Sequence, residues 1–121
     1  MPVRAVGTIV GRMRSKRVGA RIATLVEEAI VDCYTEDEQH GSFLVMLEEH
    51  LRCPVRALVV GEDVTVVGFD RDPPGEIVAK CRRDRRMHRV NVTALEWPGA
   101  PPQGAEWIEA YRAWLSGGLG A

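Results

Sequence analysis

Long apolar runs and a paired set of cysteines are both missing from this chain of 121 residues. No stretch approaches the roughly 20 apolar residues that a membrane-spanning helix needs. Cys33, Cys53 and Cys81 are odd in number and widely spaced, so they fit neither a disulfide framework nor a four-cysteine zinc site. We expect buried free thiols. The first twenty residues lack the apolar segment of a secretory signal, and we therefore expect a cytoplasmic protein.

Lysine and arginine are absent from residues 22–51, although the whole chain has sixteen of them. This window holds eight carboxylates, whereas the rest of the chain carries sixteen basic and nine acidic side chains. The formal net charge of −1 therefore hides a strong segregation of charge. An acidic region attracts hard cations or a basic partner, and a basic region attracts anions.

Hydrophobic periodicity predicts the secondary structure. Apolar residues recur at helical spacing over residues 24–34, 36–51 and 107–115, and Thr24 and Thr35 each begin a capping-box pattern with a glutamate three residues later. β-branched runs predict four strands and a short fifth one, at residues 55–60, 63–69, 77–82, 87–92 and 93–97. Gly68 marks a bend or a bulge in the second strand.

Together these elements predict an α+β domain, with two N-terminal helices, a small bent antiparallel sheet or SH3-like barrel, and a C-terminal helix. We expect this single domain to cover residues 24–116. A loosely attached basic arm at residues 1–23 precedes it, and a flexible glycine-rich tail at 117–121 follows it.

The acidic window concentrates its charge at the bend between the first two predicted helices. Glu28 and Asp32 are spaced one helical turn apart, and Glu36, Asp37 and Glu38 crowd the start of the second helix. Calcium takes about six to eight oxygen ligands in a flexible cage, so these carboxylates suit it chemically. Acids in the first turn of a helix also complement the helix dipole without any metal. Both interpretations stay open.

A second oxygen-rich segment lies between the second and third predicted strands. Asp70, Asp72 and Glu76 resemble part of a calcium loop, but the remaining EF-hand ligands are missing and Arg71 lies among them. A solvated hairpin loop is the simpler interpretation of this segment.

Basic side chains gather on the last predicted hairpin. They are Lys80, Arg82, Arg83, Arg85, Arg86 and Arg89. Such a hairpin suits a phosphate backbone or an acidic protein partner, but it lacks the interleaved aromatic residues that stack on bases. Its arginines have a further alternative, which is to pair with the protein's own carboxylates. We expect no enzymatic activity, because no nucleophile has a base at a motif spacing and no phosphate-binding glycine loop is present.

Residues 28–39 read Glu-Ala-Ile-Val-Asp-Cys-Tyr-Thr-Glu-Asp-Glu-Gln and resemble the opening motif of the CcbP calcium-binding proteins of bacteria. The resemblance continues through Leu-Glu-Glu-His-Leu at 47–51, Pro54 and the segment 61–68, and it extends over residues 26–115. It implies a small α+β domain that binds calcium through surface carboxylates without an EF-hand, as a buffer or a sensor.

The resemblance also implies which carboxylates bind the ion. The first set is Asp32, Glu36, Asp37 and Glu38, with Glu28 beside it, and the second set is Asp63, Asp70, Asp72 and Glu76. The calcium binder that gives the family its name is strongly acidic, whereas this chain is nearly neutral and has an arginine-rich hairpin. We therefore expect weaker calcium binding here.

Overall fold

Three helices and four strands make up residues 19–117, the part of the chain that the computed structural model describes. The helices are α1 (residues 19–30), α2 (Glu36–His50) and α3 (Glu106–Leu115). The strands are β1 (Val55–Val59), β2 (Glu62–Arg71), β3 (Ile77–Arg83) and β4 (Arg86–Asn91). The predicted α+β class is confirmed. None of the described helices is long and apolar enough to cross a membrane.

The first helix begins earlier than the sequence pattern indicated. Residues 19–23, which the sequence predicts as part of the N-terminal arm, are helical, and Ile22 is only 9% exposed. Thr24 does not cap the helix, because its hydroxyl donates a hydrogen bond of 3.1 Å to the carbonyl of Ala20 in the preceding turn. The other residues of the predicted arm (1–18) and most of the predicted tail (118–121) lie outside the described residues.

The four strands form one open antiparallel sheet in the order β1-β2-β3-β4. Of the two predicted architectures, the sheet and not the closed barrel is observed. The pairing of β2 with β3 shifts register between Val66 and Gly68, which is the predicted bulge. The predicted fifth strand is wrong, since Val92–Ala94 forms a 3-10 helix and a single bridge between Leu58 and Glu96 joins this segment to β1.

The core lies between one face of the sheet and the helices. Alternate residues of β3, Ile77, Ala79 and Cys81, are fully buried, and α2 and α3 bring Phe43 and Tyr111 onto them. The prediction of buried thiols therefore holds for Cys81, whereas Cys33 and Cys53 are partly exposed and all three are free.

Gly104 sets the distance between the end of α2 and the start of α3. Its φ of +95° lies in the left-handed region that favours glycine. A Cβ atom built there would lie 2.2 Å from the carbonyl oxygen of His50 and 2.8 Å from the backbone nitrogen of Leu51. Backbone atoms cannot move aside as a flexible side chain does, so only glycine fits this junction.

Replacing Gly104 with alanine should lower the free energy of unfolding by about 2–4 kcal/mol, because backbone strain and overpacking act together. Gly99→Ala is the matched control, since a Cβ at Gly99 meets no atom within 4 Å, and its effect should stay within about 0.5 kcal/mol. Urea denaturation measures both values. Equal stability of the two variants would contradict the proposed close approach.

Candidate metal site

The bend between α1 and α2 is a fixed structure. Asp32, with φ of 62°, turns the chain out of α1. Thr35 then caps α2, because its hydroxyl oxygen accepts from the backbone N–H of Glu38 at 3.1 Å. The Glu38 carboxylate in turn accepts from the backbone N–H of Tyr34 at 3.2 Å. The predicted cap at Thr35 is therefore confirmed, whereas Glu38 bonds to the N–H of Tyr34 and not to that of Thr35, which a capping box would use.

Side chains of α2 also tie this bend to the rest of the fold. Ser42 donates a short hydrogen bond to the carbonyl of Ala29, which closes the end of α1 against α2. Gln39 lies between the bend and α3, since its amide nitrogen is 3.5 Å from the carbonyl of Cys33 and its amide oxygen accepts from the Trp114 indole at 2.9 Å. The sequence analysis missed these residues, because their partners are distant along the chain.

Five carboxylates surround the bend, and we call them the acidic corner: Glu28, Asp32, Glu36, Asp37 and Glu38. All five are exposed. The predicted one-turn spacing of Glu28 and Asp32 is not observed as a helical pair, because α1 ends at residue 30. Within residues 19–117, Asp37 is the one member that pairs with an arginine, and Glu36 lies 3.9 Å from the ring of His40.

Arg71 at the end of β2 is the partner of Asp37. Its side chain is only 5% exposed, and its guanidinium donates to the Asp37 carboxylate at 2.6 Å, the Asp37 carbonyl at 3.3 Å and the Gly75 carbonyl at 2.7 Å. A buried guanidinium that is hydrogen-bonded on several sides is a permanent internal cation. Asp37 is therefore already neutralised by the protein.

Two aspartates of the acidic loop between β2 and β3 also pair with an arginine. Arg89 on β4 donates to Asp70 at 2.8 Å and to Asp72 at 2.9 Å. Glu76 accepts from the side-chain amide of Asn91 at 2.6 Å. All three members of the predicted second set that lie on this loop and its flanks therefore have protein partners.

The pKa values of Asp70 and Arg89 reflect the hydrogen bond between them. The hydrogen bond from Arg89, together with the backbone N–H of Arg71, holds the pKa of the Asp70 carboxyl below its ordinary value. The same bond to Asp70 raises the pKa of Arg89. Both groups therefore keep their charges over the whole neutral pH range, and each compensates the other.

Asp63, the fourth member of the second set, lies at the opposite end of β2 from Asp70. Arg56 on the neighbouring strand holds it, with two guanidinium nitrogens at 2.9 and 3.1 Å from one carboxylate oxygen. Among residues 19–117, no three ligating side chains lie close enough together to hold a metal ion as they stand.

His40 is a buried residue next to the acidic corner that the sequence analysis did not single out. Its Nδ1 lies 2.8 Å from the Tyr111 hydroxyl, which itself accepts from the backbone N–H of Ile77 at 3.1 Å. Burial lowers the pKa of His40, and the positive charge of Arg71 lowers it further. A neutral ring that accepts from Tyr111 fits both findings. The helical spacing of His40, Phe43 and Leu47 was the available signal.

The basic hairpin does not cover the acidic corner as a unit. Only Arg89, near its far end, reaches the β2–β3 loop. Arg83 pairs with Glu62, and Lys80 lies across Gly68 at the bulge, with its side chain 3.1 Å from the position that a Cβ would take. Within residues 19–117, Arg82, Arg85 and Arg86 are exposed and have no ion-pair partner.

Solved structures with this fold are known. The chain is similar to the crystal structure of Anabaena CcbP, with a TM-score of 0.66 and 18% identity over 84% of this chain and 90% of that chain. It is also similar to a structure described as a calcium-binding protein in the calcium-binding form, with a TM-score of 0.63 and 18% identity over 78% and 89% of the two chains. At this identity the likeness shows the fold.

No curated protein matches the sequence. The family model of the CcbP proteins, described by the words calcium binding, matches residues 21–115. This match covers both helices of the acidic corner, the whole sheet and α3. The chain therefore belongs to the CcbP calcium-binding family.

Proposed function

We propose that this protein is a non-catalytic calcium buffer that binds the ion at the acidic corner. The observation that carries the proposal is the unequal neutralisation of its carboxylates. Arginines hold Asp37, Asp70 and Asp72, whereas Glu28 and Asp32 have no ion-pair partner within residues 19–117. A cation gains most where negative charge is not yet compensated.

The donors of the acidic corner fit calcium by their chemistry. Every candidate ligand is a carboxylate oxygen, which is the hard ligand that calcium prefers over softer transition metals. Asp32, Glu36 and Glu38 would bind the ion from the bend, and Glu28 would approach it from the end of α1. Carboxylates at exposed positions can swing toward an ion, and water completes the coordination.

Two features of the corner favour weak binding. Glu36, Asp37 and Glu38 stand in the first turn of α2, where the positive end of the helix dipole already compensates part of their charge. One oxygen of Glu38 is also committed to the backbone N–H of Tyr34. We expect a dissociation constant of roughly 10⁻⁵ to 10⁻³ M, as for sparse carboxylate cages.

The rigidity of the bend favours a buffer over a sensor. A sensor needs an element with two arrangements whose balance the ion changes. Here Thr35 caps α2, and Glu38 bonds to the backbone N–H of Tyr34. Ser42 and Gln39 fix the bend to α1 and α3. Calcium would therefore change the charge of the corner and leave the helices where they are.

Replacing Asp32 with asparagine and Glu36 with glutamine should weaken calcium binding at least tenfold, because two of the proposed carboxylate ligands are removed. Glu48→Gln/Glu49→Gln removes the same charge from the other end of α2 and should leave the affinity nearly unchanged. Amide shifts in an NMR calcium titration report the site and the affinity together. Identical titrations of the wild type and the Asp32/Glu36 variant would exclude the corner as the site.

Replacing Arg89 with glutamine should create additional calcium binding in the β2–β3 loop, because Asp70 and Asp72 lose their internal cation. In the same NMR titration, the backbone amides of residues 70–72, 75 and 76 should shift with calcium in this variant and stay fixed in the wild type. Arg82→Gln is the control, since Arg82 has no ion-pair partner within residues 19–117. If the loop amides do not shift with calcium in the wild type or in either variant, then Arg89 does not block a calcium site in this loop.

A further inference from the structure

Two turns lie side by side at the end of the sheet that is remote from the acidic corner. Val59 pairs with Glu62 around the β1–β2 turn, and Arg83 pairs with Arg86 around the β3–β4 turn. Residues of both turns line one open groove of about 570 Å³. We call this end, residues 60–63 and 82–87, the sheet tip.

The sheet tip carries the arginines that the fold does not use. Arg83 is paired with Glu62, but Arg82, Arg85 and Arg86 have no ion-pair partner within residues 19–117. All three are exposed. These side chains therefore remain available to a ligand outside the molecule.

Exposed apolar side chains accompany these arginines. Val60 is 91% exposed and Met87 is 55% exposed, and both belong to the sheet tip. Arginine and methionine are enriched in protein interfaces relative to the rest of the surface. The tip therefore combines free positive charge with apolar contact area.

Val60 is also strained. Val60 and Gly61, with φ of 50° and 77°, form a two-residue turn whose first position favours asparagine or aspartate. A β-branched residue with positive φ is an outlier, and at 91% exposure its side chain recovers little by packing inside this chain. Strain of this kind concentrates at binding sites.

We propose that the sheet tip is a docking surface for a protein segment that carries carboxylates beside an aliphatic side chain. The arginines would pair with the carboxylates, and Val60 and Met87 would cover the aliphatic group. Nucleic acid is the less favoured occupant, because a phosphate backbone offers no aliphatic group for the exposed Val60 and Met87 to cover. The tip also offers no exposed aromatic ring for stacking on bases.

Docking at the sheet tip is independent of calcium at the acidic corner. The ten residues of β2 run from the tip to Arg71 beside the corner, a distance of about 30 Å. Charges in solvent are screened beyond about 8 Å at physiological ionic strength. Saturating calcium should therefore leave docking unchanged.

A library of random twelve-residue peptides displayed on phage tests the proposal on the full-length protein. We expect enrichment of peptides that combine Asp or Glu with Leu, Ile or Val, and a synthetic copy of the strongest one then gives the affinity by fluorescence anisotropy. Arg86→Glu should weaken it at least tenfold. Arg52→Glu, the same charge reversal after the end of α2, should change it less than twofold. Lack of enrichment, or equal losses in both variants, would overturn the proposal.

Val60→Asn separates docking from folding. Asparagine tolerates positive φ, so the variant should melt several degrees higher than the wild type and yet bind the peptide at least threefold more weakly. Unchanged affinity in this variant would remove Val60 from the surface and refute the apolar part of the proposal. A single-stranded DNA of twenty nucleotides that binds more tightly than the peptide, and loses affinity with Arg86→Glu, would refute the choice of a protein partner.

Discussion

A buried guanidinium joins the start of α2 to the sheet, and the position of the acidic corner depends on it. Arg71 is held by three oxygens, two from Asp37 at the start of α2 and one from Gly75 in the β2–β3 loop. Removing one partner of a buried charge leaves that charge uncompensated, at a cost of several kcal/mol. The first turn of α2 is therefore bound to the end of β2, and its acids face solvent from a fixed place.

Arginines divide the carboxylates of this protein into two classes. One class, around Arg71 and Arg89, serves the fold by joining α2, β2 and β4. The other class, with Glu28 and Asp32, makes no ion pair within residues 19–117 and is available to an ion from solvent. The near-zero net charge of the chain is thus compatible with a calcium site. The arginines neutralise particular carboxylates and leave Glu28 and Asp32 without an ion pair within residues 19–117.

The sequence predicted those features that depend on neighbours along the chain. Thr35 and Gly68 acted as cap and bulge as expected. Thr24 shows the same capping pattern as Thr35 but lies inside a helix. The helix begins before it, at residue 19, because Ile22 is buried in the core. The pairing of Arg71 with Asp37 spans 34 positions, so only the tertiary arrangement determines it. The tertiary arrangement also determines which carboxylates pair with arginines and which remain free in solvent.

The contact of His40 with Tyr111 has a consequence under acid conditions. The pKa of His40 in the folded protein lies below the ordinary 6.5. The unfolded chain therefore takes up a proton on the His40 ring more readily than the folded chain does. At a pH above the ordinary pKa of histidine, His40 does not change the free energy of folding. As the pH drops below that pKa, folding becomes less favourable. Mild acidification would therefore loosen the packing of His40 behind the acidic corner.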